Sequence, residues 1–193
     1  MTYIRIATAA DAESVLEIYG PIVRDTAISF ELVPPTVAEM QERIESTLAT
    51  LPWLVAAEAQ DVVGYAYASR HRERPAYQWA VDVSVYVRAD ARGHGVARAL
   101  YRILLGILED LSYHTVLAGI TLPNEASVAF HEAMGFRPVG IYRNVGYKLG
   151  SWHDVGWWQR PLGEYINEPP PPRAMKDYDS DQLRERLLGG RTR

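Results

Sequence analysis

The chain has 193 residues, 48% of them hydrophobic, which is enough for one domain with a sizeable core, and its net charge of −4 without an arginine-rich run argues against a nucleic-acid partner. Cysteine is absent and the histidines are scattered, which excludes disulfides and a cysteine nucleophile and argues against a metal centre. No window could span a membrane and the N-terminus lacks the layout of a signal peptide, so we expect a cytoplasmic protein without a membrane partner.

The first part of the chain predicts a strand, two helices and a hairpin. Residues 2–7 have the pattern of a short strand, and Thr8–Asp11 resembles a capping box at the start of a helix. Gly20-Pro21 should kink or end that helix. The motif TVAE is a second capping box, followed by apolar residues at helical spacing. Residues 53–69 then predict two strands around a tight turn near Gln60-Asp61.

The second part predicts four strands and two helices. Strict alternation from Trp79 to Val87 predicts a strand with valines on one face and Asp82 on the polar face. A turn with two glycines leads into an amphipathic helix that continues to Leu108. The remaining elements are a buried strand at 114–120, a helix at 125–134 with Asn124 as its N-cap, and two strands at 138–149 and 152–160.

The order of these elements is β-α-α-β-β-β-α-β-α-β-β. Helices between some strands and hairpins between others predict an α+β fold, a mixed sheet with helices packed on it. The folded domain should comprise residues 1–165. Residues 166–193 include four consecutive prolines, which favour extended structure, so we expect a linker and a loosely docked tail with room for a short helix and no catalytic role.

The turn ARGHGVA, residues 91–97, is a candidate phosphate-binding loop. It lacks the Gly-Lys-Ser/Thr of a Walker A motif, and Arg98 stands where a dinucleotide fold needs a small residue. Arg92, Gly95 and Ala97 match the pattern Arg/Gln-x-x-Gly-x-Gly/Ala. Amides at a helix start bind anions, and small residues let a pyrophosphate approach the backbone. The alternative is that the glycines only turn a corner.

Five further motifs occur in order along the chain: PWLVAAE, AYQW, VYV, LPNEASVAFHEAMGF and GSWHDVGWWQ. With the loop, they resemble the GNAT acetyltransferase superfamily and, within it, the phosphinothricin and methionine sulfoximine/sulfone acetyltransferase branch. The resemblance covers about residues 3–162. It implies an acetyl-CoA-dependent N-acetyltransferase with the GNAT fold, an α/β three-layer arrangement whose mixed central sheet is splayed around acetyl-CoA and flanked by helices.

The resemblance also implies where acetyl-CoA binds, between two splayed parallel strands at 83–87 and 114–121. Backbone groups of Val85, Tyr86 and Val87 would bond its pantetheine arm, and Asn124 would contact it beyond the second strand. A backbone N–H of the first strand would stabilise the oxyanion. The loop that would hold the diphosphate comprises Arg92, Gly93, His94, Gly95, Val96, Ala97 and Arg98.

Two side chains are candidates for acid–base chemistry, because a substrate ammonium must lose a proton before it attacks a thioester. Asp82 lies on the polar face beside the splay and is the candidate base. The resembling family carries a Glu there, so the shorter Asp favours a relay through water. An exposed edge-strand carboxylate is the alternative. His131 would protonate the departing thiolate or act as a second base, unless its role is structural.

The resemblance implies a small amino acid-like amine as substrate. Arg72 and Arg74 would share a face if their segment is extended, and guanidinium groups suit a substrate carboxylate. A solvated basic loop is the alternative. The other side chains expected to line the pocket are Phe30, Glu31, Tyr77 and Trp79, with Glu31 facing an ammonium or an oxo/imino group.

Three functions stay open. The first is acetylation of the α-amino group of phosphinothricin, methionine sulfoximine, methionine sulfone or a related molecule in a ternary complex. The second is the same fold acting on a protein N-terminus, a polyamine or an antibiotic, although Arg72 and Arg74 would repel polycations. The third is acetyl-CoA binding without turnover, against which Asp82 and His131 argue. A homodimer is expected from the resemblance, and Trp152, Trp157 and Trp158 could serve an interface or the core.

Overall fold

The computed structural model describes residues 2–59 and 61–188, and its strands form one seven-stranded sheet. The strands are β1 (Thr2–Ile6), β2 (Trp53–Glu58), β3 (Asp61–Arg70), β4 (Ala80–Val87), β5 (Thr115–Leu122), β6 (Arg137–Lys148) and β7 (Ser151–Pro161). Their order in the sheet is β1-β2-β3-β4-β5-β7-β6. Within the described residues β4 and β5 are the one parallel pair, so the predicted mixed sheet is confirmed.

Helices cover both faces of the sheet. They are α1 (Ala12–Asp25), α2 (Val37–Leu48), α3 (Val96–Asp110), α4 (Glu125–Ala133) and α5 (Ser180–Leu188). α1 and α2 pack on one face, where Val15 and Ile44 meet Tyr65 of β3. α3 and α4 pack on the other face, which holds the larger core cluster. Among the helices that the structure describes, none is long and apolar enough to cross a membrane.

The alternation predicted for β4 places its valines and Asp82 on opposite faces. Val81 and Val83 are buried in the core that includes α3. Tyr86 packs on the α1 side, where its ring centroid lies 5.4 Å from that of Tyr19. Asp82 shares the face of Tyr86, because side chains an even number of residues apart in a strand point the same way.

β4 and β5 separate after three paired residues. Residues 80–82 pair with residues 115–117, yet β4 continues to Val87 and β5 to Leu122. The outer edges of both strands stay paired along this stretch, β4 with β3 and β5 with β7. The sheet therefore contains a V-shaped gap between two open strand edges, and Asp82 lies at its vertex.

The structure refines two local predictions, the end of the first helix and the position of the first hairpin turn. The first helix does not end at Gly20-Pro21 but continues to Asp25. Pro21 is exposed while Ile22 and Val23 are buried, so packing holds the last turn although proline removes one helical hydrogen bond. The predicted hairpin turn falls between β2 and β3, and Gln60 itself lies outside the described residues.

The C-terminal segment packs against α3. Met175 and Tyr178 are buried, with 7% and 8% of their surfaces exposed. Asp110, at the end of α3, accepts hydrogen bonds from the Tyr178 hydroxyl and from Arg186 Nε and Nη2 at 2.8 and 2.7 Å. Arg186, then Tyr178, hold the pKa of Asp110 below its ordinary value although burial opposes them. The segment thus makes specific contacts with α3, and residues 189–193 of the predicted tail lie outside the described residues.

Met175→Ala should lower the free energy of unfolding by about 2 kcal/mol or more, because it removes buried apolar contacts and leaves a cavity. Lys176→Ala, at an exposed neighbouring position, is the matched control and should change stability by less than about 0.5 kcal/mol. Urea unfolding followed by tryptophan fluorescence measures both. Equal stability of Met175→Ala and the wild type would show that this segment is not docked in solution.

Candidate active site

A cavity of about 450 Å³ joins the gap beside β4 to the N-terminus of α3. Its lining includes Val85, Tyr86, Val87, Arg92, Gly93, Gly95, Val96, Ala97, Arg98 and Asn124. The structure thus brings together the residues predicted to bind a cofactor, with the exception of His94, which is exposed and does not line the cavity. Asn124 also caps α4, since its Oδ1 accepts a hydrogen bond from the Ser127 N–H at 3.2 Å.

Gly93 and Gly95 determine the shape of the loop before α3. Their φ angles of +80° and +81° favour glycine, and a Cβ at either position would meet nothing within 4 Å. The first helical hydrogen bond runs from the Ala99 N–H to the Gly95 carbonyl, at 3.0 Å. The N–H groups of residues 96–98 therefore have no acceptor within the helix. Free amides, the helix dipole and open space together fit a diphosphate group.

Asp82 is a partly buried carboxylate, and β4 is an internal strand, so it is not an exposed edge-strand residue. Its Oδ1 lies 2.7 Å from Nδ1 of His71. Burial raises the pKa of Asp82 above its ordinary value, although the hydrogen bond and charge of His71 and the charge of Arg72 oppose this rise. The resulting carboxyl is more basic than one on the surface, as a proton acceptor requires.

Sequence reasoning missed His71. Ser69 pairs with Asp82 across the β3–β4 hairpin, so a residue two positions further lies diagonally opposite Asp82 on the same face. That register, rather than any motif, is the signal that could have indicated His71.

His131 is buried, with 5% of its surface exposed, and both ring nitrogens have partners. Nδ1 lies 2.8 Å from the carbonyl oxygen of Ser127, to which it donates, and Nε2 accepts from the Tyr101 hydroxyl at 3.0 Å. Burial lowers the pKa of His131, which favours the neutral ring. A neutral imidazole bonded in this way has no free proton for a thiolate. Tyr101 of α3 lines the gap between β4 and β5 together with His131.

Arg72 and Arg74 lie away from the cofactor groove, which is the cavity of about 450 Å³ that runs from β4 to the N-terminus of α3. With Tyr77 they line a separate cavity of about 280 Å³ between the β3–β4 loop and the C-terminal segment. Arg70 and Arg173 line the same cavity, whereas Asp82 and the loop before α3 do not. The structure therefore does not join these arginines to the cofactor groove. Tyr77 connects the two regions, since its ring centroid lies 6.2 Å from that of His71.

The other predicted lining residues have partners elsewhere in the chain. Arg43 donates to both oxygens of Glu31, at 2.7 and 3.1 Å, so this carboxylate is paired within the chain. Burial raises the pKa of Glu31, but the hydrogen bonds from Arg43 and Tyr19 outweigh it and lower the pKa overall. The ring of Phe30 packs on the β6–β7 hairpin at Gly146, and the Trp79 indole donates to the Pro170 carbonyl at 2.8 Å.

The three C-terminal tryptophans have different surroundings. Trp158 belongs to the main core, whereas Trp152 is 62% exposed on the β6–β7 hairpin. Trp157 packs its ring against His71, with a centroid distance of 5.7 Å. The exposed apolar side chains of the hairpin, including Tyr147 and Leu149, offer a surface for the homodimer, which stays a prediction.

Residues 4–157 match the family model described as an acetyltransferase (GNAT) domain. The chain belongs to the GNAT acetyltransferase family. It is 39% identical over 173 residues to phosphinothricin N-acetyltransferase of Streptomyces viridochromogenes, covering 90% of this chain and 92% of the relative. It is 33% identical over 168 residues to L-methionine sulfoximine/L-methionine sulfone acetyltransferase of Pseudomonas aeruginosa, covering 86% and 98%.

A solved GNAT relative has the same architecture. The crystal structure of a phosphinothricin acetyltransferase from Sinorhizobium meliloti in complex with acetyl-CoA has a TM-score of 0.83 and 37% identity, and the match covers 88% of this chain and 93% of that one. The predicted fold, family and branch are thereby confirmed, and the chain is an N-acetyltransferase. The individual site residues stay predictions.

Gly95→Trp should lower the affinity for acetyl-CoA by more than about 100-fold, because the indole would fill the space beside the free amides. Gly95→Ala is the matched control, since both variants carry the same cost of about 1 kcal/mol for a side chain at positive φ. Isothermal titration calorimetry measures binding, and thermal unfolding checks that both variants fold. Tight binding by Gly95→Trp would place the diphosphate elsewhere.

Proposed function

We propose that this chain transfers the acetyl group of acetyl-CoA to the α-amino group of a small amino acid-like substrate, such as phosphinothricin, methionine sulfoximine or methionine sulfone. The main support for this proposal is the shape of the cofactor groove. It begins near the basic carboxylate of Asp82 at the vertex of the gap and ends at the free amides of α3. Two relatives are named for such substrates, and a solved relative holds acetyl-CoA, which supports the assignment.

The chain offers backbone groups to each part of acetyl-CoA. The amides of residues 93–98 would bind the diphosphate, and the open edge of β4 at residues 85–87 would bond the pantetheine arm as another strand would. Acetyl-CoA supplies an activated acetyl thioester. A backbone N–H on the same edge would stabilise negative charge on the carbonyl oxygen.

The net reaction joins the amine nitrogen to the acetyl carbon, breaks the thioester C–S bond, and releases CoA as a thiol with one proton. The substrate ammonium must lose its proton first, and Asp82 provides basicity for this step directly or through an intervening group. A raised pKa brings a carboxyl closer to the pH at which a general base is most efficient.

Arg72 and Arg74 would hold the substrate carboxylate in the separate cavity that they line, with the amine turned towards Asp82. Arg72 is close enough to Asp82 for its charge to lower the pKa of that carboxyl, so it is the nearest cation of the pair to the proposed base. Both guanidinium groups repel polyamines, which favours an amino acid-like substrate over a polycation.

A panel of amines tests the function. We expect phosphinothricin, methionine sulfoximine or methionine sulfone to release free CoA from acetyl-CoA, measured with a thiol reagent. Release with peptide N-termini or polyamines alone would support a different amine substrate. Acetyl-CoA binding without release by any amine would leave a binding domain without turnover.

Asp82→Asn should lower kcat by about 10²- to 10⁴-fold, because Asn cannot supply the negative charge that proton removal needs, while the KM for acetyl-CoA changes little. Asp61→Asn makes the same change at an exposed position at the start of β3 and is the matched control. Steady-state kinetics with the preferred amine measures both. Unchanged kcat in Asp82→Asn would remove this residue from the reaction.

A further inference from the structure

His71 and Asp82 form a hydrogen-bonded pair at the vertex of the gap. Nδ1 of His71 lies 2.7 Å from Oδ1 of Asp82, and their side chains are 13% and 27% exposed. An ionised carboxylate can only accept hydrogen bonds, so Nδ1 carries the shared proton. When the imidazole is neutral, Nε2 then has a free lone pair. This is the arrangement that orients a histidine base in Ser-His-Asp sites.

Nε2 is the ring nitrogen of His71 that Asp82 leaves unoccupied. It makes no hydrogen bond within the described part of the chain, and it is not among the polar atoms there that are buried without a partner. The ring is held edge-on by Trp157 and Tyr77, with centroid distances of 5.7 and 6.2 Å. The indole N–H of Trp157 is buried without a partner within the described part of the chain.

The groups that face the pair come from β3, from the segment between β3 and β4, and from β7. Tyr67 on β3 has its pKa raised, mainly by burial and in part by the charge of Asp82. Arg72 and Tyr77 lie in the segment that leads to β4, and Trp157 lies on β7. Within the described residues, the charges that shift the pKa of Asp82 are those of His71 and Arg72.

We infer that His71 is the catalytic base and that Asp82 is its positioning residue. Nε2 takes a proton from the substrate ammonium, which leaves the amine lone pair free to attack the thioester carbonyl. The ring becomes imidazolium, and its Nδ1–H stays bonded to Asp82, whose negative charge stabilises it. The proton then passes from Nε2 to solvent. This role rests on the acetyltransferase function proposed above.

Two physical reasons favour His71 over direct proton transfer to Asp82. If Asp82 took the proton itself, it would lose the negative charge that accepts the Nδ1–H bond, whereas protonation at Nε2 leaves that bond in place. An imidazole can also take up a proton at one nitrogen while the other stays bonded, so His71 can pass the proton on without leaving Asp82.

His71→Gln tests the inference, because Gln keeps a donor for Asp82 but cannot accept a proton. We expect kcat to fall by about 100-fold or more. The acid limb of the kcat/KM profile should move to lower pH, since a carboxyl then remains as the base. If Asp82 is the direct base, the limb stays in place or moves to higher pH, because His71 lowers the pKa of Asp82. Either of those results overturns the inference.

His71→Ala with added imidazole keeps the test decisive if His71→Gln is too slow for a profile. Recovery of turnover with imidazole supports the base role, and no recovery overturns it. His153→Gln is the matched control, because this histidine lies 3.0 Å from the Lys148 carbonyl and not beside Asp82, so its acid limb should match the wild type. Acetyl-CoA affinity confirms that each variant folds.

The two hypotheses fail in different ways. A wild-type enzyme that releases no CoA with any amine contradicts the proposed function itself. An active wild-type enzyme whose acid limb stays unmoved in His71→Gln contradicts the base assignment alone and leaves the acetyltransferase function in place.

Discussion

The separation of β4 from β5 is the constraint on which the rest of the structure depends. Their pairing stops at Asp82, although both strands continue and keep their outer partners. Unpaired backbone groups inside a sheet are costly unless something bonds to them. The open edges of β4 and β5 are therefore suited to an extended ligand that forms hydrogen bonds as a strand would. The position of this gap also decides which side chains can meet that ligand.

The two ends of the groove use different physical means. At the far end, the backbone would do the binding, because glycines at positive φ turn the chain so that helix-start amides stay free. At the vertex, the partly buried pair of His71 and Asp82 would provide the proton chemistry. A diphosphate needs many fixed donors, whereas an ammonium needs one well-placed base. Each end thus has the type of group that its task requires.

Much of the fold could be predicted because its signals are local. The alternation of β4, the glycine turn and the capping box at Thr36 all depend on residues a few positions apart. The pair of His71 and Asp82 depends instead on hairpin register, and a slip of one residue would put His71 on the opposite face. Tyr101 meets His131 only through the packing of α3 on α4. Glu31 finds Arg43 through a loop whose path no periodicity describes.

The short pairing of β4 with β5 also has a mechanical consequence. Strands β1–β4 form one antiparallel set and β5–β7 another, and within the sheet the two sets are joined by residues 80–82 and 115–117. α3 packs across this junction, with contacts to the strands of the first set and the core of the second. A co-substrate with hydrogen bonds to both open edges would link the two sets of strands. The sheet would then be most rigid when the co-substrate is bound.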